Sequence, residues 1–85
     1  MRKKKTGDIT IVGVVIPASW DEDGGMTGIS IQATDEVEYV VEQDHLGHGL
    51  MTLVHKRVKA GGSIRQRLDG KIVIRIKEYE MITQY

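Results

Sequence analysis

The chain has no cysteine, no phenylalanine and a single proline. Without cysteine there is no disulfide, no thiolate metal site and no cysteine nucleophile. Long apolar runs are missing too. The longest, Ile11 to Ile16, is far too short to span a bilayer. The cluster Arg2-Lys5 could open a signal peptide, but Thr6, Gly7, Asp8 and Thr10 interrupt any apolar region and no small-residue cleavage site follows. The expectation is a soluble, cytoplasmic chain that does not use a membrane. The last scarcity is of cations: from Thr6 to His55 there is no Lys or Arg.

That gap makes the zero net charge misleading. The same stretch holds nine acidic residues, whereas Lys56 to Tyr85 holds eight basic residues and three acidic ones. The amino-terminal tail adds four more positive charges. Such segregation is a statement about surfaces and partners. Either the two halves neutralise each other across paired strands, or they form separate acidic and basic faces.

Eighty-five residues make one domain, near the small end of what folds on a hydrophobic core alone. The apolar content is mostly Val and Ile, which favours strands. Residues 1–7 read as a disordered basic tail and residues 8–85 as the folded domain.

The clearest stretch is the last third. Val58, Ala60, Gly62 and Ile64 share one face, and Lys59, Ser63 and Arg65 the other. After the turn Leu68-Asp69-Gly70-Lys71, the residues Ile72, Ile74 and Ile76 alternate with Val73, Arg75 and Lys77. Period-2 alternation about an Asp-Gly turn predicts a hairpin with one apolar and one basic face.

Earlier, Asp8 to Pro17 predicts a strand that is apolar on both faces for part of its length and broken by Gly13. Glycine within a strand marks a bulge or bend, and a bent first strand can serve two sheets. Ala18 to Gly28 reads as a long loop with Trp20 and three carboxylates at its tip. Gly28 to Thr34 and Val37 to Glu42 predict two strands joined at Asp35-Glu36. Ile29, Ile31, Ala33 and Tyr39 face inward there, and Ser30, Gln32, Glu38, Val40 and Glu42 outward. Leu50, Leu53 and Val54 fall at helical spacing, with Asp44 or Gly49 as its start.

Three strands, a short helix and two strands form a sequence of elements that resembles the OB-fold, a five-stranded Greek-key barrel. The residues carrying the resemblance are the bent strand around Gly13, the Ile29-to-Val41 hairpin, the Leu50-to-Val54 helix, and the strands Val58-x-Ala60-x-Gly62-x-Ile64 and Ile72-x-Ile74-x-Ile76. Nearly the whole chain is covered, and it looks like a small stand-alone bacterial OB protein of the tRNA-anticodon-binding-like type. An SH3-like barrel is the rival five-stranded arrangement.

The resemblance implies an all-β barrel that binds oligonucleotides or oligosaccharides on strands two and three, between the first loop and the loop joining strands four and five. Single-strand binding needs a cationic groove and stacking rings. Strands two and three offer neither on their outer face. The candidate nucleic-acid contacts therefore come from the flanks: Trp20, Arg65, Arg67, Lys71, Arg75 and Lys77. Trp20 has a second reading, in which it folds back over an open barrel end.

Asp21-Glu22-Asp23-Gly24-Gly25 lacks the ligand spacing of a calcium loop. His45, His48 and His55 are separated by flexible Gly47 and Gly49 and read as surface histidines rather than a zinc site. No catalytic triad, phosphate-cradling loop or paired carboxylate in an apolar setting stands out. The expectation is a non-enzymatic binding module without metal or cofactor. Its partner is single-stranded DNA or RNA or, alternatively, another protein or a second copy of the chain.

Overall fold

The computed structural model describes residues 7–82. Five strands, β1 (Gly7–Trp20), β2 (Met26–Ala33), β3 (Glu38–Val41), β4 (Arg57–Gln66) and β5 (Ile72–Met81), close into a barrel in the order β1-β2-β3-β5-β4. A five-residue helix, α1 (His45–Gly49), runs into a 3₁₀ turn (Leu50–Leu53) between β3 and β4. All neighbouring strands are antiparallel except β3 and β5. Parallel neighbours need a crossover, and here α1 and β4 supply it. This is the OB-like arrangement expected from the order of elements. No helix of the described residues is long and apolar enough to cross a membrane.

Closure depends on β1. Its first half, Gly7 to Val14, pairs with β4, and its second half, from Gly13 onward, pairs with β2. The two ladders overlap at Gly13 and Val14, and Gly13 faces Val58 on one side and Ala33 on the other. A Cβ on Gly13 would overlap the carbonyl oxygen of Gln32 and sit 2.7 Å from the Ala33 Cα. Glycine is therefore required there by close approach of another backbone.

The barrel is steeply sheared. Lateral partners lead from Pro17 to Ile29 on β2, then to Val41 one step beyond the last bridged β2–β3 pair. They continue through Ile74 and Ile64 and return to β1 at Gly7, ten residues (17 minus 7) from the start. With such stagger a row of lateral neighbours climbs along the barrel as much as around it.

Inside, Val15, Ile29, Ile31, Tyr39, Leu50, Val58, Ile74 and Ile76 form one buried core. The alternation read from the sequence holds on β2, β3 and β4. On β5 it breaks: the β4–β5 register shifts between Gly61 and Gly62, so Gly61 faces Glu78 while Gly62 faces Ile76. Lys77 is the extra residue of the bulge. Ile76 and Tyr79, three apart, therefore both pack on the core.

Other boundaries moved as well. β1 continues through Trp20, so the expected long loop shrinks to Asp21–Gly25. The helix starts earlier than its apolar stripe, at the Asp44 cap. β1 also begins at Gly7, inside the expected tail, and residues 1–6 and 83–85 lie outside the described ones.

The three hairpin turns share one geometry. In each, the residue before the loop donates to the carbonyl four positions on, and the N–H three positions on returns to its carbonyl. The pairs are Asp21 with Gly25 and Gly24, Ala33 with Val37 and Glu36, and Arg67 with Lys71 and Gly70. The fourth residue is left-handed in all three: φ is 86° at Gly24, 72° at Glu36 and 90° at Gly70. That is a three-residue loop closed by a left-handed residue, a position for glycine. Two Asp-Gly pairs fill it naturally, and Asp35-Glu36 fills it under strain. A left-handed L-residue costs about 1–2 kcal/mol, part of which glycine returns as unfolded-state entropy. Glu36→Gly is expected to stabilise the fold by about 0.5–1 kcal/mol in urea unfolding. A lower midpoint for that variant would contradict the strain.

Candidate binding cleft

The outer surface is best read along lateral rows. One row crosses all five strands: Ile16, Ser30, Val40, Val73 and Arg65, on β1, β2, β3, β5 and β4 in turn. Alternation gives the direction of these side chains but not their depth. Ser30, expected outward in water, is fully buried, and Val73 on the same face is nearly so. The coiled sheet is concave here, and its floor is apolar. Among the described residues the Ser30 hydroxyl has no hydrogen-bond partner.

Over this row opens a cleft of about 380 Å³. Val40, Val73, Ile29 and Ala18 provide apolar lining, and Ser19, Glu42, Gln43, Arg65 and Arg67 the polar rim. Gly28, also in the lining, leaves room that the Gln43 amide occupies as it donates to the Thr27 carbonyl. The Ser19 and Thr27 hydroxyls bond to each other at 3.0 Å.

The six candidate contacts divide. Arg65 and Arg67 line the cleft, and so do Ala18 and Ser19, the residues that lead into Trp20. Trp20 is 58 % exposed, so it does not fold back as a barrel cap. Leu68, next to Arg67 at the tip of the β4–β5 turn, is fully exposed. Lys71 stands at the far side of that turn. Arg75 points to the helix start. Lys77 lies in the bulge and lines a different groove, over Gly61 and Gly62.

Four of the five candidate cations hold carboxylates. Arg65 meets Glu42 at 2.5 Å, Arg67 meets Asp69 at 2.8 Å, Arg75 meets Asp44 at 3.2 Å, and Lys77 meets Asp8 at 3.1 Å. Three of the four partners come from the acidic amino-terminal half, so the segregated charges do neutralise each other across the fold. These pairs are exposed and add little stability. Their consequence is electrostatic: each removes a positive charge from the surface that phosphates would need.

Asp44 does two things. Its carboxylate caps α1, accepting the Gly47 N–H at 2.9 Å, and it also accepts from Arg75. The Gly47 N–H chiefly, and the Arg75 guanidinium after it, hold its carboxyl below the usual range despite some desolvation. Asp69 is likewise lowered, chiefly by the Lys71 N–H and then by Arg67. Burial pushes the Tyr39 hydroxyl up, and the nearby Asp35 carboxylate adds to that. Asp44→Ala is expected to cost about 1 kcal/mol at neutral pH, as for other helix caps. A depressed folded pKa contributes stability above the unfolded value, near 4, and loses it as pH falls through the folded value. The difference between wild type and variant therefore shrinks below about pH 4, and urea midpoints at neutral and acid pH measure it. An equal gap at both pH values would contradict the cap's dependence on the carboxylate.

Among the described residues no three His, Asp or Glu side chains converge in a way that could hold a metal ion. The sequence pointed to Trp20, Arg65 and Arg67. It missed Val73 and Gln43, because depth on a concave face and reach across strands leave no local pattern. The class these features define is a small OB-like closed barrel with an apolar-floored cleft on its outer face. No family model, no curated protein and no solved structure matches the chain.

Proposed function

We propose that the chain is a non-enzymatic binding module whose outer cleft takes a polypeptide partner, an extended segment that is largely uncharged and places apolar side chains between the first loop and the β4–β5 turn. The observation carrying this reading is the pairing of Arg65 and Arg67 with Glu42 and Asp69 around an apolar floor. An apolar centre inside a polar rim rich in Arg is the composition of a protein contact. A rim neutralised from within has little left to attract a polyanion. Exposed Trp20, at the end of β1, and exposed Leu68, in the β4–β5 turn, each adjoin residues of the cleft lining, and Trp and Arg are enriched among binding anchors.

The test is selection from a displayed random-peptide library on the wild-type protein, with soluble Val40→Asp as competitor. Val40 is half-buried and faces the cleft. Peptides are expected that bind wild type at least about tenfold more tightly than Val40→Asp, in keeping with loss of an anchor contact of more than 1 kcal/mol. Their binding changes little with salt. A selection yielding no peptide that distinguishes the two proteins contradicts the reading.

A further inference from the structure

Two of the charges outside any ion pair among the described residues, Glu38 and Arg57, lie on one row. One row of lateral partners runs Glu38, Gln32, Val14, Arg57 across β3, β2, β1 and β4. Glu38, Gln32 and Arg57 are exposed, and Val14 is half-buried. Among the described residues neither Glu38 nor Arg57 takes part in an ion pair, unlike Arg65, Arg67, Arg75 and Lys77. The acidic end is extended by the turn residues Asp35 and Glu36, and the basic end by Lys56, all exposed. Between them Val12, one step along β1, is half-buried beside Val14. Lys59, the lateral partner of Val12, has Glu80 on its other side and is not counted in the basic end.

Neighbouring strands lie about 4.8 Å apart, so Glu38 and Arg57 are separated by roughly 14 Å along the row. Because the barrel is sheared by ten residues, the row climbs along the barrel and stays on one side of it. The face is therefore bipolar: negative at one end, positive at the other, with exposed Gln32 and half-buried Val14 between them.

We propose that this face is an isologous contact with a second copy of the chain. A two-fold axis midway between Gln32 and Val14 turns the face onto itself in reverse. Glu38 of one copy then meets Arg57 of the other, and Arg57 meets Glu38. A two-fold interface must be self-complementary in this way. The charged ends set the register, and half-buried Val12 and Val14 supply the burial. None of these residues lines the cleft, so the contact rests on observations separate from those behind the proposed function.

Sedimentation equilibrium at low salt, with charge reversals, tests the contact. Wild type is expected to have twice the monomer mass at high protein concentration. Glu38→Arg places two positive ends on the face, and Arg57→Glu two negative ends, so each variant alone is expected as a monomer. An equimolar mixture of the two monomeric variants restores both opposite-charge contacts and is expected to dimerise. So is the double variant E38R/R57E. The mixture also controls for folding, since only folded variants can reassociate. A monomeric wild type, single reversals that leave the dimer unchanged, or a mixture that stays monomeric would each overturn the proposal.

Discussion

Replacing Gly13 by valine is expected to lower stability by about 3 kcal/mol or more, a large fraction of the total for a domain of this size. The effect is large because nothing near Gly13 can give way. The obstructing atoms are the Gln32 carbonyl and the Ala33 Cα, both backbone within the β1–β2 ladder. Any displacement that relieves them also strains the β1–β4 ladder, because Gly13 is paired in both. Even Gly13→Ala meets the same atoms, so it is expected to be nearly as damaging as valine. Circular dichroism with urea unfolding reads both variants. A Gly13→Ala protein with an unchanged midpoint would mean that β1 does not serve two ladders at that residue.

Leu50→Ala is expected to cost about 2–5 kcal/mol, the range for leucines deleted from packed cores. Leu50 is completely buried and belongs to the main core, although it lies on the connection between β3 and β4. A five-residue helix followed by a single 3₁₀ turn cannot hold itself together in water. The connection is held by its Asp44 cap at one end and by Leu50 among barrel residues at the other. Truncating Leu50 therefore removes buried area and leaves a void at one end of the barrel. Thermal unfolding of the variant with an unshifted midpoint would mean that the helix is an appendage rather than part of the core.

Much of the fold could be read from the chain because its strands alternate. On β4 and β5 the inward residues Val58, Ala60, Ile74 and Ile76 were visible in sequence, since a strand with one buried face must repeat every two residues. The bulge at Lys77 was not, because one added residue shifts the pattern only after it has occurred. Gly62 gives the physical reason for the site: a Cβ there would overlap the Arg75 carbonyl, so the two strands approach closely just where the register slips. The helix start was ambiguous between Asp44 and Gly49 because Gly47 and Gly49 weaken the helical signal. Packing decided it. In the site, the candidate cations were identifiable, but their partners were not. Lys77 and Asp8 are separated by 69 positions, and Arg75 and Asp44 by 31. Charge segregation along the chain showed that neutralisation was available, and only the topology determines which charges meet.

Whether the cleft is a protein contact or a path for nucleic acid is decided most directly by an amide chemical-shift titration with mixed short single-stranded oligonucleotides at low salt. If Arg65 and Arg67 remain with Glu42 and Asp69, amides at Trp20, Arg65 and Arg67 stay unshifted at millimolar oligonucleotide. Saturating shifts at those amides, lost as salt rises in the way phosphate contacts are lost, would contradict the account and return the cleft to the nucleic-acid reading.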